Sequence, residues 1–313
     1  MNLPSARTTP GRYRAYGVEL LCDFPLPSPP ARRPEATVGR TIEVRRRGED
    51  EVRAGWRTDL VLHEATLERG VEVKVERGVG GEHLVRHGAH AFRLSADLRR
   101  MLCAPPAEPD PAWESALLDW APYATAVLAE TECLHAGAVR LGGRVVAIAA
   151  PSGAGKSTLV AALVAAGATF FSDDVLALAR RDELVIAHPG APFSRLGVDR
   201  GELAAKLGTI RAEVDEELWV EIPGDTAAAP LAAMMILHRL PDEPPTPRFA
   251  PTGFADLRVL SLGFTGAGGG EARRLGLLAE LASQAQVLRL EVNESASPEA
   301  LAEALATELG RRP

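Results

Sequence analysis

Val145-Val146-Ala147-Ile148-Ala149-Ala150-Pro151-Ser152-Gly153-Ala154-Gly155-Lys156-Ser157-Thr158 is the stretch on which the reading of this chain turns. An apolar run leads into a glycine-bearing loop, and an Ala/Leu/Val-rich run, Ser157 to Ala166 and ended by Gly167, leads out of it as a helix. In such a setting consecutive backbone N–H groups curl around phosphate oxygens, with the positive end of the helix behind them. Gly153 and Gly155 let the backbone approach closely, Lys156 can reach β- and γ-phosphate oxygens, and the Ser157 hydroxyl can ligate Mg²⁺. Ser152, Gly153, Ala154, Gly155, Lys156, Ser157 and Thr158 are therefore expected to bind ATP with Mg²⁺. The strict form of this loop opens on glycine, and Ala150 holds that place here.

Outward from the loop, Thr169 to Leu178 reads as one buried strand that carries two acids, Asp173 and Asp174. Beside a phosphate loop, one such carboxylate can serve the metal while the other accepts the proton of an attacking hydroxyl. Upstream, Ala136 to Leu141 and Arg144 to Ala150 flank Gly142-Gly143 as a hairpin. Downstream, Leu231 to Leu237 and Val287 to Val292 read as strands. Pro298 to Leu309 reads as a helix with Ser297 as its N-cap and Gly310 just past its end. Strands separated by helices give an α/β class.

The first third of the chain has a different pattern. Tyr16 to Leu21, Thr41 to Arg45, Val71 to Val75 and His83 to Leu94 are short strand-like runs broken by Gly, Pro and charge. The proline-rich segments Phe24 to Pro30 and Pro241 to Pro247 read as connections, and Trp113 to Trp120 has helical spacing. These features predict a smaller β-rich N-terminal domain over residues 1–110 and a P-loop domain over 111–313.

The 313 residues are 46% hydrophobic and 25% charged, which suits a globular chain with a real core. A net charge of −7 speaks against broad nucleic-acid binding, and the short basic runs Arg32-Arg33 and Arg45-Arg46-Arg47 read as solvated surface. Cys22, Cys103 and Cys133 form no CxxC pair, so neither a zinc site nor a disulfide framework is indicated. With no secretory h-region and no run long enough to span a bilayer, the expectation is a cytoplasmic protein without a membrane partner.

Leu134-His135-Ala136-Gly137, Ser152 to Ser157, and Ser172-Asp173-Asp174 together resemble the catalytic domain of HPr kinase/phosphorylase. His135 stands 21 positions before Lys156, and Asp174 stands 18 after it, as in that family. The resemblance implies an HPr-kinase-like C-terminal domain that transfers the γ-phosphoryl group of ATP to a serine hydroxyl on a peptide or protein acceptor. It implies His135 as an active-site histidine, Lys156 and Ser157 as the phosphate and magnesium ligands, Asp174 as the proton acceptor and Asp173 as its metal-side partner. It also implies a homo-oligomer. Two departures are plain: Thr158 stands where the family has an acid, and the family's later glutamate motif is not evident. Asp199 is a candidate substitute on the metal side, and Arg195 a candidate phosphate contact. The N-terminal part, with Tyr13-Arg14-Ala15-Tyr16-Gly17, looks more like divergent HPr-kinase-like proteins, some of which phosphorylate a serine of a ribosomally made precursor such as a lasso peptide. A reversible kinase/phosphorylase and a nucleotide-binding regulatory module with little transfer are the alternatives.

Overall fold

The computed structural model describes residues 11–26, 39–67, 70–108, 110–241, 246–252 and 270–311. Parts of both proline-rich connections, residues 27–30 and 242–245, lie outside them, as does Arg32-Arg33. The chain is mixed α/β and divides between Glu130 and Thr131 into two compact units.

The first unit is built on β1 (Gly11–Ala15), β2 (Val18–Cys22), β3 (Arg40–Arg46), α1 (Glu49–Arg53), β4 (Thr58–Thr66), β5 (Glu72–Gly78), β6 (His83–His87), β7 (His90–Leu94) and β8 (Arg100–Cys103). The strands form one sheet in the order β1-β2-β3-β8-β7-β6-β5-β4. The run His83 to Leu94 is thus a hairpin, β6 with β7, and not one strand. A helical segment follows in three pieces: α2 (Pro111–Ser115), one π-turn (Ala116–Trp120) and α3 (Ala121–Leu128). Asp110 starts it by accepting the Ala112 N–H at 2.9 Å, with Pro111 in the first position, where its missing N–H costs nothing. Its apolar face, with Trp113, Leu117, Leu118 and Ala124 buried, packs on the same unit's sheet. Trp113 meets Phe24 at a ring separation of 6.1 Å, and Tyr123 meets Tyr16 at 6.2 Å. This packing overrides the proline-rich boundary signal: the segment from 111 to 128 belongs with the N-terminal strands, and the division falls 20 residues later than the composition shift suggests.

The second unit contains β9 (Glu132–Leu134), β10 (Ala136–Leu141), β11 (Arg144–Ala149), α4 (Lys156–Ala165), β12 (Thr169–Ser172), β13 (Leu176–Arg181), β14 (Leu184–His188), β15 (Phe193–Gly197), α5 (Gly201–Leu207), β16 (Thr209–Val214), β17 (Glu217–Glu221), β18 (Ala229–Leu240), β19 (Arg248–Pro251), α6 (Gly270–Gln284), β20 (Gln286–Asn293) and α7 (Pro298–Arg311). β11, β18 and β20 are parallel neighbours, and the hairpin β10/β11 forms around Gly142-Gly143 as its sequence asks. β18 also pairs with β14 through its first residues, which extends the sheet to β13 and β9. A smaller sheet runs β15-β17-β16.

Alternate residues of β11 and β18 go to opposite cores. Val146, Ile148, Met235 and Leu237 pack with Leu159 and Leu163 of α4 and Leu301 and Leu305 of α7. Val145, Ala147, Met234 and Ile236 pack with Leu277, Leu278 and Leu281 of α6. Strands covered on both faces carry unbroken apolar runs, which is why β11 and β18 show no polar alternation. Two expectations are corrected here. Thr169 to Leu178 is not one strand: it breaks at Asp173-Asp174 into β12, which pairs with β10, and β13, which pairs with β9 and β14. Gly310 lies inside the final turn of α7, because the helix runs to Arg311. Ser297 does cap that helix, its Oγ accepting the Ala300 N–H at 3.2 Å. Among the described residues no helix is long and apolar enough to cross a membrane.

Candidate functional site

The loop between β11 and α4 is shaped by two left-handed glycines, Gly153 at φ 76° and Gly155 at φ 89°, the second serving as the helix N-cap. Ala150, in the place of the pattern's first glycine, is wholly buried at the end of β11, where a small side chain fits the core. Ser152 and Gly153 are exposed, Ala154, Gly155, Ser157 and Thr158 are partly buried, and Lys156 is buried at the head of α4.

Facing this loop is a break in a two-stranded ribbon. The segment around β9 and β10 runs antiparallel to that around β12 and β13, with Ala138 opposite Ser172 and Leu134 opposite Leu176. The register is the same on both sides of the break, so His135-Ala136-Gly137 lies across from Asp173-Asp174-Val175, where no ladder pairing joins the two segments. At the break the Val175 N–H donates to the Asp173 carbonyl at 2.7 Å around Asp174, whose φ is 64°. A three-residue turn with a positive central φ is rare and strained for a residue other than glycine. The Ser172 hydroxyl closes the turn by donating to the Val175 carbonyl.

This geometry brings the expected acids, lysine, serine and histidine together. Lys156 Nζ lies 3.3 Å from Asp174 Oδ1 and 3.7 Å from Asp173 Oδ1. Ser157 Oγ donates to Asp173 Oδ1 at 3.0 Å, and the Asp174 N–H does so at 2.9 Å. His135 Nδ1 lies 3.2 Å from Asp174 Oδ1. The two carboxylates differ in setting: the Asp173 side chain is 3% exposed and that of Asp174 is 70% exposed. Burial works to lower the pKa of Lys156, but the charges of Asp173 and then Asp174 outweigh it, and the ammonium titrates above its ordinary value. For Asp174, desolvation works against ionisation, while the His135 hydrogen bond and the Lys156 charge favour it and prevail. Its carboxyl is held well below the usual carboxylate range.

Two further groups were not singled out in the sequence. Ser194 on β15 is buried and donates its hydroxyl to Asp173 Oδ2 at 2.6 Å, so both oxygens of Asp173 are held by donors. A serine inside an apolar strand carries no pattern of its own, and only the fold reveals it. Arg274 of α6 forms a buried ion pair with Glu132 and reaches the Cys133 carbonyl at 3.5 Å, which anchors β9 just before His135. Two weaker candidates stand apart. Arg195 is exposed while its neighbour Ser194 is buried toward the acids, as strand alternation requires. Asp199 is in a short 3₁₀ turn and pairs with the adjacent Arg200 at 3.1 Å.

Among the described residues no group of three or more His, Cys, Asp and Glu side chains is placed to hold a metal. Mg²⁺ asks for less: it keeps several waters and takes one or two protein oxygens plus phosphate. Adjacent ligands of an octahedral Mg²⁺ at ~2.1 Å lie roughly 3.0 Å apart. Ser157 Oγ and Asp173 Oδ1, hydrogen-bonded at 3.0 Å, have that spacing.

No family model matches this chain, and no curated protein matches it. Among solved structures, that of the HPr(Ser) kinase/phosphatase from Coxiella burnetii is similar at 13% identity, over 57% of this chain and 97% of that one, with a TM-score of 0.35.

Proposed function

We propose that the second unit is an ATP- and Mg²⁺-dependent phosphotransferase that moves the γ-phosphoryl group to a serine-type hydroxyl on a peptide or protein acceptor. One observation carries the reading: Lys156, Ser157, Asp173, Asp174 and His135 are linked by contacts of 3.7 Å or less at the head of a helix that follows a glycine loop. The backbone N–H groups of Gly153 to Ser157 and the N-terminal end of α4 hold phosphate oxygens. Lys156, now shared between two carboxylates, turns its charge to the β- and γ-phosphates. Ser157 and Asp173 would hold Mg²⁺, with Ser194 fixing the second Asp173 oxygen. When bound, Mg²⁺ neutralises the charge on the transferring group.

Asp174 takes the proton of the acceptor hydroxyl as that oxygen bonds to the γ-phosphorus and the bond to the β-phosphate oxygen breaks, leaving ADP. Its exposure lets an acceptor reach it, and an aspartate is ionised at neutral pH. His135 orients the same carboxylate. The peptide or protein nature of the acceptor rests on the motif resemblance alone.

The test has two parts. Calorimetry should show Mg-ATP binding to the full chain, and Lys156→Ala should strongly weaken it at a temperature where the variant's own melt shows it folded. An unchanged affinity would sink the phosphate-loop assignment. Incubation with γ-labelled ATP and a panel of serine peptides should then place label on a serine. Label released only to water would support a hydrolysing regulatory module instead.

A further inference from the structure

Arg239, near the end of β18, belongs to no phosphate-loop pattern, yet its guanidinium lies against the loop. Its Nε donates to the Ala154 carbonyl at 2.7 Å. Its Nη1 reaches the β20–α7 turn, donating to the Glu294 carbonyl at 3.0 Å and, at longer range, to those of Ala296 at 3.4 Å and Asn293 at 3.5 Å. Its Nη2 stands 3.2 Å from where a Cβ on Gly155 would be. So Gly155 meets two demands at once, a left-handed backbone and room for this side chain.

The character of these partners matters. Every acceptor of Arg239 among the described residues is a neutral carbonyl, whereas Lys156 faces two carboxylates. A guanidinium stays protonated at any working pH. Its positive charge therefore persists beside the loop, while that of the loop lysine is largely neutralised by its own acids. Its planar fork also spans two segments far apart in sequence, so the loop cannot shift without giving up bonds to the β20–α7 turn.

We propose that Arg239 is a positioning residue of the phosphate loop: it ties Ala154-Gly155 to the turn after β20 and supplies a positive charge that no carboxylate cancels, toward the polyphosphate of a nucleotide. The inference rests on the phosphate-binding reading of the loop given above. It adds a residue whose effect is on anion affinity and loop geometry, through Ala154 and Gly155.

The experiment measures binding of inorganic tripolyphosphate and of Mg-ATP to the full chain by calorimetry at low and high salt. The proteins are wild type, Arg239→Gln, Arg239→Lys and Lys156→Ala, each with a thermal melt. A unit charge removed several ångströms from a polyanion at intermediate dielectric changes affinity about tenfold. Arg239→Gln is expected to weaken tripolyphosphate by about that factor at low salt, with the difference from wild type shrinking as salt screens it. Arg239→Lys keeps the charge but loses the fork, and is expected to fall between the two. A purely structural role would lower the melting temperature and leave the affinity of the folded protein and its salt dependence unmoved; that result overturns the proposal. Equal losses in both variants, insensitive to salt, overturn it too. Should Arg239→Gln not fold, Arg239→Lys decides alone, and wild-type affinity there overturns the clamp. If wild type binds neither ligand, the phosphate-loop reading fails and takes this inference with it; if wild type binds and Lys156→Ala does not, only the behaviour of Arg239 is in question.

Discussion

Replacing Gly137 by alanine should damage the site from beneath. Gly137 is on β10, under the head of α4, and its φ is not positive, so the glycine is there for space and not for conformation. An added Cβ would stand 2.7 Å from Val160 Cγ2, 3.3 Å from Asp173 Oδ1 and 3.6 Å from Lys156 Cγ. Carbon atoms settle at about 3.5–4.0 Å, so Val160 must withdraw by about 1 Å. Val160 is fully buried and β-branched, which leaves it one favoured rotamer in a helix, so the movement passes to α4 itself. Overpacking of this kind costs about 1–3 kcal/mol. Because α4 carries Lys156 and Ser157, the same shift misplaces the proposed phosphate-binding groups, and a displacement of ~1 Å can cost ~10²-fold in rate. The assay is a thermal melt together with calorimetric Mg-ATP affinity, with Gly276→Ala on α6 as a control. Nothing lies within 4 Å of a Cβ at Gly276, and that change should add about 0.5–1 kcal/mol of stability. A Gly137→Ala protein with wild-type melting and wild-type affinity would refute this close approach of α4 to β10 at Gly137.

Ser194→Ala removes a hydroxyl that donates to a buried carboxylate, so stability in urea should fall by about 1.5–3 kcal/mol, the usual worth of a hydrogen bond to charge; an unaltered midpoint would remove Ser194 from the site. Asp174→Asn should leave Mg-ATP affinity near wild type and lower single-turnover transfer by ~10²–10⁴-fold, whereas Asp173→Asn should chiefly raise the magnesium requirement; the reverse pattern exchanges the two roles. Because Asp174 has φ 64°, Asp174→Gly should be more stable than Asp174→Ala by about 1 kcal/mol, which paired melts would show. Burial pushes the Cys22 thiol up to about 12, and those of Cys103 and Cys133 higher still. Unfolded thiols ionise near ~8.5, so stability should fall as pH rises past that value, and the three should react with a thiol reagent only on unfolding. On the acid side, burial lowers the pKa of His63, His83 and His188 from 6.5, and that of Asp174 is lowered from 3.8. Each contributes stability that is present above its unfolded value and lost as pH falls through the folded one, so melts should weaken first below about pH 6.5 and again in strong acid.

What could be read from the chain follows from how local each signal is. The glycine loop leading into a helix, the Gly142-Gly143 hairpin and the Ser297 cap are each set by a few adjacent residues, and each formed where its pattern stood. The break at Asp173-Asp174 was hidden because apolar residues flank it on both sides and a single positive φ leaves no trace in hydrophobicity. The helical segment after Pro111 was placed in the wrong unit because its partners, Phe24 and Tyr16, stand about a hundred residues away and a composition shift says nothing of packing. Ser194 and Arg239 were missed for the same reason: each reaches the site from a strand distant in sequence.

The interrupted ribbon has a mechanical consequence. On one side of the interruption the ribbon is fastened through β10 to β11, the strand that feeds the glycine loop; on the other it is fastened through β13 to β14. Ladder pairs join its two strands on either side, with one register shift between Ala138 and Val139, but between Leu134 and Ala138 no ladder pair joins them. At His135 and Asp174 the scaffold can therefore give without loss of ladder pairing, against only the contact between those two side chains and their neighbours. A small rotation there would change their distance from Lys156 while both halves of the sheet remain whole.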